Sequence, residues 1–123
     1  MPAKTPEELH RLWGEYFNAR DLDGLVALYE EEAAFMPQPG QLVHGRAAIR
    51  EALNGFLALN AKFELRFQRA IEAEGVAILY SRWRLSMPDG NELTGQTSDV
   101  SRRQGEGTWL FLIDNPYGGA GVD

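Results

Sequence analysis

Two aspartates near the C-terminal end of this 123-residue chain have the clearest chemical potential. Asp99 lies in a polar segment, Leu93 to Arg103, where strand alternation places it on one face with Gly95, Thr97 and Ser101. If that face looks into a cavity, the carboxyl is poorly solvated and its pKa must rise. A neutral Asp donates a hydrogen bond, and an ionised one acts as a base. The alternative is a surface carboxylate paired with Arg82, Arg84 or Arg102. Asp114 alternates with Leu110 and Leu112, and that side is expected to form a pocket floor, with Leu112 and Asp114 in its lining. The strands holding Asp99 and Asp114 are expected to be hairpin neighbours, so the two carboxyls would share a proton or bind a cation. Asp114-Asn115-Pro116 also suits an ordinary turn initiator, which is the preferred reading.

Other reactive types are sparse. The chain has no Cys, which excludes disulfides, thiol nucleophiles and thiolate metal sites. Its two histidines are His10, placed on the polar side of the first helix, and His44, placed in a strand-to-helix turn. No metal site is expected from them. No glycine-rich nucleotide loop and no Ser-centred elbow occur, so no cofactor is expected. Arg82, Arg84, Arg102 and Arg103 read as a solvated or interface face of a sheet, with an anion clamp as the sharper alternative.

The elements that would position these groups follow from pattern. Thr5-Pro6-Glu7-Glu8 is a helix start with a capping box, followed by Leu9, Leu12, Trp13, Tyr16 and Phe17 at helical spacing. Asp21 caps a second helix whose apolar face is Leu22, Leu25, Val26, Leu28 and Tyr29. Glu30-Glu31-Glu32 marks its exit, because acidic groups oppose a helix C-terminal dipole. Ala33 to Met36 is expected as a short strand broken at Pro37-Gln38-Pro39-Gly40, and Arg46 to Leu57 as a third helix.

Beyond residue 60 the period becomes alternating. Phe63, Leu65 and Phe67 share one strand face, and Ala77, Leu79, Ser81, Trp83, Leu85 and Met87 another. Pro88-Asp89-Gly90-Asn91 turns into Leu93 to Arg103, and Gln104-Gly105-Glu106-Gly107 into Thr108 to Ile113. Residues 115–123 are expected to be loop or flexible tail. Helices first and then a strand meander indicate an α+β fold in one domain, with the antiparallel or mixed sheet curled around the N-terminal helices.

This order of elements resembles the NTF2-like superfamily of cone-shaped barrels, a cystatin-like fold, and within it the SnoaL-like and ketosteroid-isomerase-like branch. The residues that carry the resemblance are Asn18 to Tyr29, Gly45 to Glu51, Asp99 to Arg103 and Trp109 to Pro116. Ketosteroid isomerase pairs an Asp base with an oxyanion hole of Tyr and protonated Asp. Those three positions fall here on Pro37, Trp13 and Asp99. Pro37 has no proton-accepting side chain and Trp13 offers only an indole N–H. The resemblance therefore implies the fold without that isomerase's mechanism. Tyr16, one turn beyond Trp13, is the expected replacement donor beside Asp99.

A cone has a mouth that its own side chains leave open, so some aromatics must line an apolar pocket with few polar groups. Trp13, Trp83, Phe35 and Phe56 are the candidates, with Asp99 and Asp114 at the base. Two functions are consistent with this. One is cofactor-free proton transfer on a small apolar or amphipathic molecule: isomerisation, cyclisation, dehydration or hydrolysis. The other is a non-catalytic dimeric ligand-binding module, which the loss of the base at Pro37 favours. Trp109, Phe111 and Ile113, with Ile78, Tyr80 and Val100, are expected to form an apolar outer face, hence a homodimer through the sheet. Net charge is −6 and no segment concentrates Lys and Arg, so no nucleic-acid partner is expected. No apolar run suits a signal core or a membrane span, so a cytoplasmic protein is expected.

Overall fold

A computed structural model describes residues 2–119. Helix α1 (Pro6–Asn18) starts as its cap predicts: the Thr5 side chain accepts from the Glu8 N–H at 3.1 Å. The Glu8 carboxylate reaches the Lys4 N–H rather than that of Thr5. Asn18 ends the helix by clasping the start of the sheet, its amide both donating to and accepting from the Phe63 backbone at 2.9 Å. Helix α2 (Leu22–Val26) is capped by Asp21, whose side chain accepts from Gly24 N–H.

The chain then becomes strand earlier than its sequence pattern indicates. Strand β1 runs Tyr29–Gln38 and turns at Gly40 (φ 81°) into β2 (Gln41–His44), which the sequence pattern does not show. Tyr29 therefore opens a strand instead of closing a helix, and Glu30 to Glu32 lie within that strand. The reason is pairing: β1 is hydrogen-bonded to β2 on one side and, in parallel, to the last strand on the other. Helix α3 (Arg46–Leu57) follows Gly45, whose φ of 87° a side chain would strain. The Arg46 guanidinium donates to the Tyr29 carbonyl at 2.8 and 2.6 Å, fastening α3 to the start of β1.

The remaining strands are β3 (Lys62–Ala73), β4 (Val76–Ser86), β5 (Glu92–Gln96), β6 (Asp99–Arg103) and β7 (Trp109–Asp114). The expected strand from Leu93 to Arg103 is divided at Thr97-Ser98, so that both halves pair β4. The sheet order is β2-β1-β7-β6-β4-β3, with β5 added beside β4. This is a curved, unclosed mixed sheet with helices against one face, an α+β architecture. Leu9, Phe17, Leu25, Ile49, Leu53 and Leu79 are fully buried between helices and sheet.

One irregularity in β7 decides the site. Val100 pairs with Ile113 but Ser101 pairs with Phe111, so Leu112 is an extra residue, a β-bulge. Alternation breaks there. Trp109 and Phe111 point inward and are buried, Ile113 is exposed, and Asp114 points inward again. Two expectations are corrected. Trp109 and Phe111 do not belong to an outer face, because Phe111 packs on His10 and Tyr29. Leu112 does not line the cavity, because it is the bulged residue. After β7, residues 116–119 form a hydrogen-bonded turn. The rest of the expected tail, 120–123, lies outside the described residues.

Candidate functional site

A cavity of about 60 Å³ opens between α1, α3 and the inner face of the sheet. Its walls are aromatic and aliphatic: Trp13 and Phe17 from α1, Phe35 from β1, Phe56 from α3, Phe63 from β3, Trp83 and Leu85 from β4. Trp83 lies flat on Gly95, where a Cβ would come within 2.6 Å of the indole. Its Nε1 donates to the Pro116 carbonyl at 2.6 Å, and the Tyr117 hydroxyl donates to the Pro37 carbonyl at 2.5 Å. The turn after β7 is thus tied across the cavity.

The polar end of the cavity holds His10, Asp99 and Asp114. All three are nearly inaccessible. Asp99 and Asp114 lie close enough for each to shift the other's titration, since the bulge at Leu112 turns Asp114 to the side that Asp99 occupies. The second Asp99 oxygen, Oδ1, accepts the Asn115 N–H at 2.6 Å. Asp114 also accepts from the Tyr29 hydroxyl, which in turn accepts from Trp13 Nε1 at 2.9 Å. On the other side His10 Nε2 lies 2.6 Å from Asp99 Oδ2, and His10 Nδ1 lies 2.7 Å from Ser81 Oγ. Two hydrogen-bonded runs, Ser81–His10–Asp99 and Asp114–Tyr29–Trp13, therefore meet at the coupled carboxyls and form one row.

Burial sets the protonation of this row. It lowers His10 to about 4, against a weaker raising effect of Asp114. Burial raises Asp99 to about 7, opposed by hydrogen bonds from Asp114 and the Asn115 N–H. Burial, then the charge of Asp99, pushes Asp114 well above the usual carboxylate range. Tyr29 is pushed above its usual value by burial and by Asp114. Burial lowers His10 and raises Asp99, which favours the neutral form of each, so their contact is a hydrogen bond to a neutral imidazole. When Asp99 is ionised, His10 Nε2–H donates to it and Nδ1 accepts the Ser81 hydroxyl. When Asp99 is protonated, the row reverses its donor sense, and Nδ1–H donates to Ser81. The arrangement can store, give and take a proton without any side chain carrying a full positive charge.

The expected site residues separate cleanly. Asp99, Asp114, Trp13, Trp83, Phe35 and Phe56 meet around one cavity. Tyr16 does not; it is half-buried against α2, where a Cβ on Gly24 would lie 3.0 Å from its ring. His10 is corrected from the polar side of α1 to the core. The helical spacing held a signal for this: His10, Trp13 and Phe17 stand at i, i+3 and i+7, one face. Tyr29 carried no such signal, because its link to Asp114 depends on parallel pairing of β1 with β7. His44 ends β2 in solvent, before the turn into α3. Among the described residues no group of three or more His, Asp or Glu side chains is placed to hold a metal ion. None of their helices is long and apolar enough to cross a membrane.

A curved sheet wrapped on N-terminal helices, with a cavity at its inner face, defines the NTF2-like class, which shares the cystatin-like fold. Residues 10–111 match the SnoaL-like domain, and the chain belongs to that family. A Thiobacillus denitrificans structure named for the association domain of calcium/calmodulin-dependent protein kinase type II superposes with a TM-score of 0.80. It is 18% identical, over 94% of this chain and 95% of that one. An NTF2-like protein of unknown function from Pseudomonas putida superposes at 0.72, with 17% identity over 88% of this chain and 80% of that one. A protein of unknown function from Mycobacterium tuberculosis gives 0.74 and 22% identity, over 88% and 70%. At such identities the likeness is one of fold. No curated protein matches the sequence.

Proposed function

We propose that this protein binds a small, largely apolar molecule in the cavity and moves a proton on it without a cofactor. The Asp99–Asp114 pair is the proton-exchanging group. The observation that supports this most is the pair itself: two coupled carboxyls buried at the polar end of an aromatic cavity. Tyr29 and Trp13 steady Asp114, while His10 and the Asn115 N–H steady Asp99. The reaction class is isomerisation, cyclisation, dehydration or hydrolysis. Carboxyl-carbon NMR titration tests the reading. A resonance for Asp99 that stays protonated up to about pH 7 is expected, and Asp values near 4 for both would refute it.

A second reading is a non-catalytic binding module. Pro37, standing where the related isomerase has its base, favours it, since its carbonyl is already engaged by Tyr117. The partner we propose is a second copy of the chain, met through the outer sheet face. Ile78 and Ile113 are exposed there beside half-exposed Tyr80, Val100 and Leu110. Sedimentation velocity with Ile78→Asp should convert a dimer to a monomer.

A further inference from the structure

The cavity is unbalanced in charge. Its carboxyl groups are Asp99 and Asp114, and among the described residues no Lys or Arg lines it. His10 is too deeply buried to serve as their cation. A buried carboxyl either keeps its proton, as this pair does, or ionises beside a positive partner, and here the walls supply no such partner. The walls themselves are largely aromatic, with Trp13, Phe35, Phe56, Phe63, Trp83 and Tyr117 around one space. Trp13 meets Phe63 edge to face at 62°, and Trp83 meets Tyr117 at 74°. An aromatic lining favours a cation over an anion wherever a ring face meets the occupant. An anion would meet both the rings and the carboxyls and be repelled.

We propose that the occupant of the cavity is a small organic ammonium compound. Its carbon groups would pack on Trp13, Phe63 and Trp83, and its N–H groups would point to Asp99 and Asp114. The proposal rests on the reading that the acid pair faces a ligand, and it names the chemical class. Size follows from the volume: 60 Å³ holds about four to six water-sized groups, hence a head of roughly that many heavy atoms. The charge sets a pH dependence. The pair binds an ammonium best when it has lost its shared proton, so affinity rises with pH toward the amine's own pKa, near that of a lysine, about 10.4. The titratable groups facing the pair are His10, Tyr29 and Tyr117: burial lowers His10 to about 4 and raises both tyrosines, so the carboxyls alone change charge between pH 6 and pH 8.

Three probes of one shape test it: tert-butylammonium, tert-butanol and pivalate, by isothermal titration calorimetry on the unaltered protein. The ammonium should bind at least tenfold more tightly than the alcohol at pH 8, pivalate should give no heat, and ammonium affinity should rise several-fold from pH 6 to pH 8. Asp99→Asn together with Asp114→Asn should erase the preference for ammonium over alcohol, because either carboxyl left alone still ionises. Equal or tighter binding of tert-butanol or pivalate overturns the proposal. So does the absence of heat from all three while a carboxyl still titrates near 7, an outcome that leaves the acid–base reading standing. Ordinary carboxyl titration with no heat overturns both.

Discussion

Strand β4 has two faces that put the same kinds of residue to opposite uses. Inward, Ala77, Leu79, Ser81, Trp83 and Leu85 are all buried. Outward, Ile78, Arg82 and Arg84 are exposed. On the outer face Arg66 stands directly across from Arg82 in register, a like-charge pair that solvent screens. On the inner face two carboxyls are also brought together, and there burial, not screening, governs them, so their protons are held instead of their charges. Proximity of like charges is a surface detail on one side of a single strand layer and a source of acid–base chemistry on the other.

The contrast can be broken most forcefully through packing. Phe111→Ala removes a fully buried ring touching His10 and Tyr29 and should cost about 3–5 kcal/mol in urea unfolding, whereas Ile78→Ala outside should cost under about 1. That small cost is for the single chain; a larger loss at Ile78 that grows with protein concentration is what the proposed dimer through this face would add. Gly95→Ala puts a Cβ against the Trp83 indole, shifts that wall of the cavity and should cost roughly 1–3 kcal/mol. Thermal unfolding together with Trp fluorescence would check it.

The pH dependence of stability sharpens the inner side. Asp99 is raised to about 7 in the fold, so its contribution is fully present below the unfolded value of 3.8 and is lost as pH rises through 7. His10 is lowered to about 4, so its contribution is fully present above 6.5 and is lost as pH falls through 4. The two slopes oppose each other between about 4 and 6.5. Above 6.5 only the carboxyl slopes remain, so stability should fall by at least roughly 1 kcal/mol from pH 6.5 to 8, Asp99 supplying about that much and Asp114 adding to it. Asp99→Asn should reduce that fall and bring Asp114 to a lower pKa, because the charge of Asp99 is one of its raising causes. The smallest effect belongs outside: Arg82→Ala should change stability by less than about 0.5 kcal/mol in either direction.

Much of this was legible from residue order. The helix caps, the alternation of β3 and β4 and the face that Asp99 shares with Thr97 and Ser101 follow from local periods, whereas the fold decided that this face is the inner one. The site was legible only in part. Asp114 reaches Asp99, as facing carboxyls on hairpin strands would, but by a different route from simple alternation with Leu110 and Leu112. Those two lie on the other side, and the bulge at Leu112 swings Asp114 in. Tyr29 looked like the end of an apolar helix face because Leu25 and Val26 precede it at helical spacing. Its hydroxyl bond to Asp114 spans 85 positions.

The sequence by itself determined the class of fold, the aromatic character of the cavity and the absence of thiol chemistry, since these depend on composition and on periods of a few residues. Tertiary structure alone decided which acids are paired, that His10 is buried and neutral, and which side of β7 faces inward. Those properties arise from register between distant strands and from dehydration. A single inserted residue reverses the first, and only the packed fold can impose the second.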